Sequence, residues 1–353
     1  MNRCRTCVMP DTRPDTPFID GECAACVSYR RRPLIDWEAR KAALVALLDR
    51  HDGRCIVPSS GGKDSTYQVM TLLGLGADVT VVTARTCHLT EIGRRNIDNL
   101  ARHARTIEVV PNTMARAKLN RLGLEMVGDI SWPEHAAIFS TPMKMARALD
   151  IQLIFYGENP QDQYGGPLGS GEAMQMTSRW VSEFGGFLGL RAGDFVGVEG
   201  LTERDMEPYK PMSADEVEFY DLEAHFLGQY VPWDSRRNVD VARAAGMFIP
   251  DAPPTGSNWW RAENLDNAQT GIHDYFMWLK YGFGRGCQQI SVDVRAGLVT
   301  REHAMSWIDA CEGGFPHWYG DTPFRDVIER IGMEPEAFQR CVKRFRNEAA
   351  HAR

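Results

Sequence analysis

The chain has 353 residues, of which 43% are hydrophobic and 25% charged, and its formal net charge is −7. These values suit a globular protein of one large or two linked domains, and the acidic balance offers no broad attraction to nucleic acid. No apolar run approaches the roughly 20 residues of a membrane span, and Met1-Asn2-Arg3-Cys4 lacks the apolar core of a signal peptide, so a cytoplasmic location is expected.

Four of the nine cysteines come first, as Cys4-x2-Cys7 and Cys23-x2-Cys26. Each CxxC pair can turn two thiolates toward one tetrahedral ion, and this spacing is that of a zinc site. The intervening stretch, with Pro10, Pro14, Pro17 and Gly21, would hardly fold without such a clip. A ligand set of four cysteines is closed, which makes the expected zinc structural. Two redox pairs or four free thiols are the alternatives. The run Arg30-Arg31-Arg32 reads as a solvated charged face.

An amphipathic helix is expected over 39–48, then a strand at Cys55-Ile56-Val57-Pro58 that delivers Ser59-Ser60-Gly61-Gly62-Lys63-Asp64-Ser65 to a helix running to Leu75. A glycine turn between a strand and a helix start is suited to anions. Gly61 and Gly62 permit close approach of a ligand, and the unpaired N–H groups and positive dipole end of the helix face it. Lys63 adds a cation, while Ser60 and Ser65 add hydroxyl donors. The Walker pattern fails, because Val57 stands at its first glycine and Asp64 follows the lysine.

Strands at 78–84, 106–110 and 151–156 alternate with helices at 91–103, 115–122 and 134–149, which predicts a mostly parallel sheet with right-handed crossovers. Ligands of such sheets lie beyond the carboxyl ends of the strands. The loops after Val57, Val82 and Tyr156 should therefore converge. The second carries Thr83-Ala84-Arg85-Thr86-Cys87. The third carries Gly157-Glu158-Asn159, Asp162, Gln163, Tyr164 and Gly165-Gly166, a polar density that is costly to bury unless it binds something. Past residue 234 the pattern is helical. Trp259, Trp260, Trp278 and Trp318 read as core residues by default, and His273, Arg285 and Arg295 as candidates for an anionic group on a substrate.

The Ser60–Ser65 hexapeptide resembles the PP-loop of the ATP pyrophosphatase superfamily, whose members split ATP between the α and β phosphates and adenylate a carbonyl-type oxygen. A narrower resemblance spans nearly the whole chain. Cys4-x2-Cys7-Val8-Met9-Pro10-Asp11-Thr12-Arg13-Pro14, Thr90-Glu91-Ile92-Gly93-Arg94-Arg95-Asn96, Tyr156-Gly157-Glu158-Asn159, Tyr164-Gly165-Gly166, Trp233-Asp234 and Lys280-Tyr281-Gly282-Phe283-Gly284-Arg285 are similar to the N-acetyl sugar amidotransferase family. The resemblance implies an α/β, adenine nucleotide alpha hydrolase-like PP-loop domain over 34–205, a zinc segment over 1–33, and a mainly helical acceptor-binding and oligomerisation domain over 206–353. It implies ATP, magnesium and zinc as cofactors, and conversion of an acetamido to an acetamidino sugar. A glutaminase partner would supply the ammonia, and the chain would form a homodimer.

On that resemblance Ser59, Ser60, Gly61, Gly62, Lys63, Asp64, Ser65, Thr83, Ala84, Arg85 and Gly157 would hold ATP. Lys63, Asp64 and Glu158 would be catalytic, and Asp64 with Asp162 would hold magnesium. Asn159, Tyr164, His273 and Arg285 would bind the acceptor. Two departures, Gln163 before Tyr164 and Gly286-Cys287-Gln288-Gln289 after the arginine, bear on the acceptor. A second reading is sulfur transfer through a persulfide on Cys87 or Cys287, fed by a sulfur donor. A nucleotide-sensing zinc scaffold and nucleic-acid modification are the remaining ones.

Overall fold

In the computed structural model, residues 1–351 are described. Five strands form one wholly parallel sheet: β1 Arg54–Pro58, β2 Asp78–Ala84, β3 Arg105–Val109, β4 Leu153–Tyr156 and β5 Glu223–Phe226. Their spatial order is β3-β2-β1-β4-β5. The chain starts at the centre, winds outward through β2 and β3, then returns to lay β4 on the other flank of β1. That reversal between β1 and β4 is the topological switch point at which open α/β sheets bind ligands.

Both faces of the sheet are covered, and strand periodicity explains how. Cys55, Val57, Val79, Val81, Leu153 and Phe155 pack into one core, whereas Ile56, Val82, Ile154 and Tyr156 pack into another on the opposite face. The first core takes Leu44 and Leu48 of helix Trp37–Arg50, and Val69 and Leu72 of α1, Lys63–Gly74. Helix α2, Glu91–Leu100, starts at Thr90, whose hydroxyl accepts the Gly93 N–H at 2.9 Å. Helix α3, Thr113–Val127, is capped by Asn112 and ends at left-handed Gly128. Helix α4, Trp132–Leu149, supplies Met143 and Ala146 to the second core.

Most boundaries expected from the sequence agree with these elements to within a few residues. Strand β5 is the exception, because it lies beyond residue 205, in the stretch expected to be a mainly helical domain. Its Glu-Ala-His-Phe sequence contains no β-branched residue, so the local signal for a strand is weak. The pairing with β4, Leu153 to Glu223 through Tyr156 to Phe226, holds it in place.

The rest of the last third is mainly helical, with a short antiparallel pair at Trp318–Tyr319 and Thr322–Pro323: α5 Ser235–Ala244, α6 Thr270–Tyr281, α7 Arg285–Arg295, then Arg301–Cys311, Phe324–Arg330 and Pro335–Phe345. The four-cysteine segment shares a core with it, since Cys4, Cys7, Cys23 and Cys26 pack with Phe283, Cys287, Ile290, Ala304 and Ile308. Arg301 ties the two together by donating to the carbonyls of Cys4 and Cys7 at 3.2 and 3.1 Å. Among the described residues, no helix is long and apolar enough to cross a membrane.

Candidate functional site

A cavity of about 570 Å³ opens beyond the carboxyl ends of β1, β2 and β4, at the switch point. Its floor is the loop after β1. Gly61 has φ +79°, and a Cβ there would lie 2.7 Å from the Ile97 nitrogen, so only glycine lets the turn lie against α2. The next residue, Gly62, is the N-cap of α1 and offers no side chain to the free N–H groups of the helix start. Those donors stay open toward the cavity, as an anion site requires. Within the loop, Ser59 Oγ accepts the Gly61 N–H at 2.9 Å and lies 2.7 Å from Ser65 Oγ, which fixes the turn without filling it.

Charge is concentrated beside this helix start. Lys63 is buried, and its ammonium is paired with Asp64 and stands 5.6 Å from the Trp260 ring centroid. Burial works against its charge, but Asp64, Glu263 and Glu158 outweigh that and raise its pKa. The other Asp64 oxygen accepts from Asn238 of α5 at 2.8 Å, so a fully buried amide orients this carboxylate. Glu158 follows β4 and lines the same cavity. Desolvation and the neighbouring Asp64 push its carboxyl up to about 7, against the pull of Lys63. A carboxyl poised near neutrality can exchange protons at working pH.

The structure brings together Ser59, Ser60, Gly62, Lys63, Asp64, Ser65, Ala84, Gly157, Glu158, Tyr164, His273 and Arg285 on the cavity wall. Of the residues expected on the second loop, Thr83 and Arg85 are not there. Val82, Ala84 and Thr86 line the cavity, and strand alternation turns the two between them away. Thr83 is buried, and Arg85 lines a neighbouring cleft. Asn159 is also spent elsewhere. Its side chain caps the helix Pro160–Tyr164 and donates to Ser170 O at 2.8 Å. Asp162 faces the cysteine segment, where it accepts from Ser28 and pairs with Arg32 at 2.8 Å, so it does not join Asp64 as a magnesium ligand. Cys87 lies in a hydrophobic core off the main cavity, and burial pushes its thiol up to about 11. Cys287 is fully buried in the core of the cysteine segment, where desolvation likewise raises its pKa. Neither thiol has the lowered pKa and access of a reactive cysteine.

Several wall residues were not among the site residues expected from the sequence. Arg13 reaches in from the cysteine segment, where burial lowers its pKa to about 10. Gln68 comes from α1, and Glu134 from α4 is held by Arg116 at 2.9 Å and Asn120 at 2.6 Å. Glu263, Asn264 and Asp266 come from an irregular segment before α6. Burial raises the Asp266 carboxyl to about 6, opposed by a hydrogen bond from Ser60. A polar run, Glu263-Asn264-Leu265-Asp266-Asn267, was the available signal for that segment. The Thr90–Asn96 stretch explains how it is held. A Cβ on Gly93 would lie 2.5 Å from Asp266 Cα, and Asn96 bonds both backbone groups of Phe248 at 2.8 and 3.0 Å.

The chemistry of the donor sets fits the two expected metals. Cys4 and Cys26 sulfurs are 3.7 Å apart, as are those of Cys7 and Cys23. Zinc–sulfur bonds of about 2.3 Å in a tetrahedron give sulfur separations of about 3.8 Å. For magnesium, which is commonly held by one or two carboxylates plus substrate phosphates, Asp64 is the carboxylate in the first turn of the open helix start.

Residues 255–352 match the family model "LPS biosynthesis protein WbpG-like, C-terminal domain". No curated protein matches the chain. Among solved structures, NMN synthetase from Francisella tularensis is similar at 13% identity and a TM-score of 0.27, over 53% of this chain and 93% of that one. A likeness that slight carries no weight for activity. The matched family segment, in contrast, is the one that supplies Glu263, Asp266, His273, Arg285 and Gln288 to the cavity.

Proposed function

We propose that the chain is an ATP-dependent amidotransferase of the PP-loop type, which adenylates an amide carbonyl on a surface-glycan precursor and replaces its oxygen by nitrogen. One observation carries this reading: a single cavity is walled by the Ser59–Ser65 loop and by the segment similar to an LPS-biosynthesis family. An amide is a poor electrophile, and its oxygen a poor leaving group. Attack of that oxygen on the α-phosphorus breaks the α–β bond and expels pyrophosphate. Ammonia then adds to the carbon, the C–O bond breaks, and AMP leaves with the former amide oxygen.

The residues divide the work. Helix-start N–H groups, Ser60 and Lys63 bind and polarise the phosphates where charge accumulates. Magnesium bound with the nucleotide would neutralise further phosphate charge, with Asp64 as its protein carboxylate. Glu158, titrating near neutrality, accepts the amide N–H proton as the imidate forms. Tyr164 and Arg285 face the acceptor, Arg285 being oriented by Asp274 and Gln288 at 3.3 Å each. Ammonia would come from a glutaminase partner.

The test is a screen of acetamido sugars, free and nucleotide-linked, with ATP and either ammonia or sulfide, read by mass spectrometry. AMP, pyrophosphate and a product lighter than the acceptor are expected with ammonia. Formation of ADP in place of AMP would overturn the adenylation step. A heavier product, formed with sulfide alone, would replace the amidotransferase reading by sulfur transfer.

A further inference from the structure

Behind the acceptor side of the cavity, two imidazoles converge on one buried carboxylate. Asp129 stands in the turn between α3 and α4 and is only 3% exposed, with Oδ1 accepting the Ser131 N–H at 2.8 Å. His135 comes from the first turns of α4, and His273 from the first turn of α6. His273 Nδ1 lies 2.8 Å from Asp129 Oδ1, and His135 Nδ1 lies 3.2 Å from Oδ2. The rings meet edge to face at 5.2 Å, and His273 also lines the main cavity.

A hydrogen-bonded clamp accounts for His273 but not for His135. His135 Nδ1 is shut off from solvent, and despite its closeness to Oδ2 it has no hydrogen-bond partner of acceptable geometry. A buried nitrogen left without a hydrogen bond is a standing cost to the fold. The space beside it is kept clear by Gly186, where a Cβ would come to 3.0 Å from that same nitrogen. The Lys280 ammonium donates to the Val127 carbonyl at 3.4 Å.

A shared cation would satisfy that nitrogen. With metal–nitrogen and metal–oxygen bonds of about 2.0–2.2 Å, donor pairs on one ion lie about 2.9–3.4 Å apart. The two nitrogen–oxygen separations fall close to that range, and all three donor atoms lie within 4.8 Å of one another. We propose that Asp129, His135 and His273 form a second metal site, apart from the four cysteines, for a divalent transition ion of the zinc class. Two imidazoles and one carboxylate leave a fourth position open, as in zinc sites that take a water or a substrate atom.

The experiment compares full-length wild type with His135→Ala, both equilibrated with zinc and then dialysed against metal-free buffer, by elemental analysis. The variant is expected to hold one zinc equivalent fewer per chain at an unchanged circular-dichroism spectrum. Equal zinc content in both proteins would overturn the site and leave a hydrogen-bonded clamp only. Should the variant fail to fold, cobalt added to wild type carrying one zinc decides the matter. A visible ligand-field band without sulfur-to-metal charge transfer is expected, and its absence refutes the proposal.

Discussion

Replacing Glu158 by Gln keeps its shape and removes its charge, and it should make the free protein more stable at alkaline pH. The folded carboxyl titrates at about 7 in place of 4.5. Because the folded state holds this proton more tightly than the unfolded chain, stability is full at low pH and falls as pH rises from 4.5 through 7. A shift of about 2.5 units corresponds to about 3.4 kcal/mol. Glu158 is partly open to the cavity, so solvent screening reduces this to about 2 kcal/mol. At about 2.1 cal/mol/K per residue over 353 residues, that is about 3 °C in melting midpoint. Wild type and Glu158→Gln should melt together near about pH 4 and separate by about 3 °C, with the variant higher, near about pH 8. The variant should also lose AMP formation. Melting curves that keep the same offset at both pH values would refute the assignment of a raised pKa to Glu158.

Three further outcomes are expected. Lys63→Ala and Asp64→Ala should each lower AMP formation by about a hundredfold or more with circular dichroism unchanged; near-normal turnover in either removes that residue from the phosphate chemistry. Gly61→Ala sets a Cβ against the Ile97 nitrogen at a positive φ, so a strain of about 1–3 kcal/mol should lower the melting midpoint and weaken ATP binding together, and a variant equal to wild type in both would contradict the packing of this turn. Chelating the four-cysteine zinc should raise hydrogen exchange in residues 4–26 and also in residues 283–308, which share their core; exchange confined to the first segment would show that the shared core does not couple them.

The sheet was legible because its first four strands carry their own apolar runs between helices with caps, and a run such as Asp78–Ala84 needs no partner to be recognised. Strand β5 was not, since Glu223–Phe226 becomes a strand only through pairing with β4. The floor of the cavity was legible for the same local reason: one contiguous loop carries the glycines, the lysine and the uncapped helix start. The far wall comes from segments distant in sequence, and residue type alone did not separate Arg285, which lines the cavity, from Arg295, which donates to Gln163 O at 2.8 Å. Asp162 and Asn159 were misjudged in role because a polar side chain beside a nucleotide loop is equally suited to capping a helix or pairing with an arginine. Only the direction in which each points decides.

The joining of the cysteine segment to Phe283 and Cys287 also bears on how the chain is made. Val8 O accepts from Cys287 Sγ across 279 positions of sequence. Ribosomes add about 5–20 residues per second, so the cysteine segment waits about 14–56 s before its packing partner exists. During that interval the side chains that pack on Phe283 and Cys287 lack that cover. Zinc held by the four thiolates would give the segment a shape that does not depend on the unfinished remainder. Such an ion would act first as a placeholder in synthesis, and scarcity of zinc should then appear as aggregation of nascent chains before any loss of the finished protein.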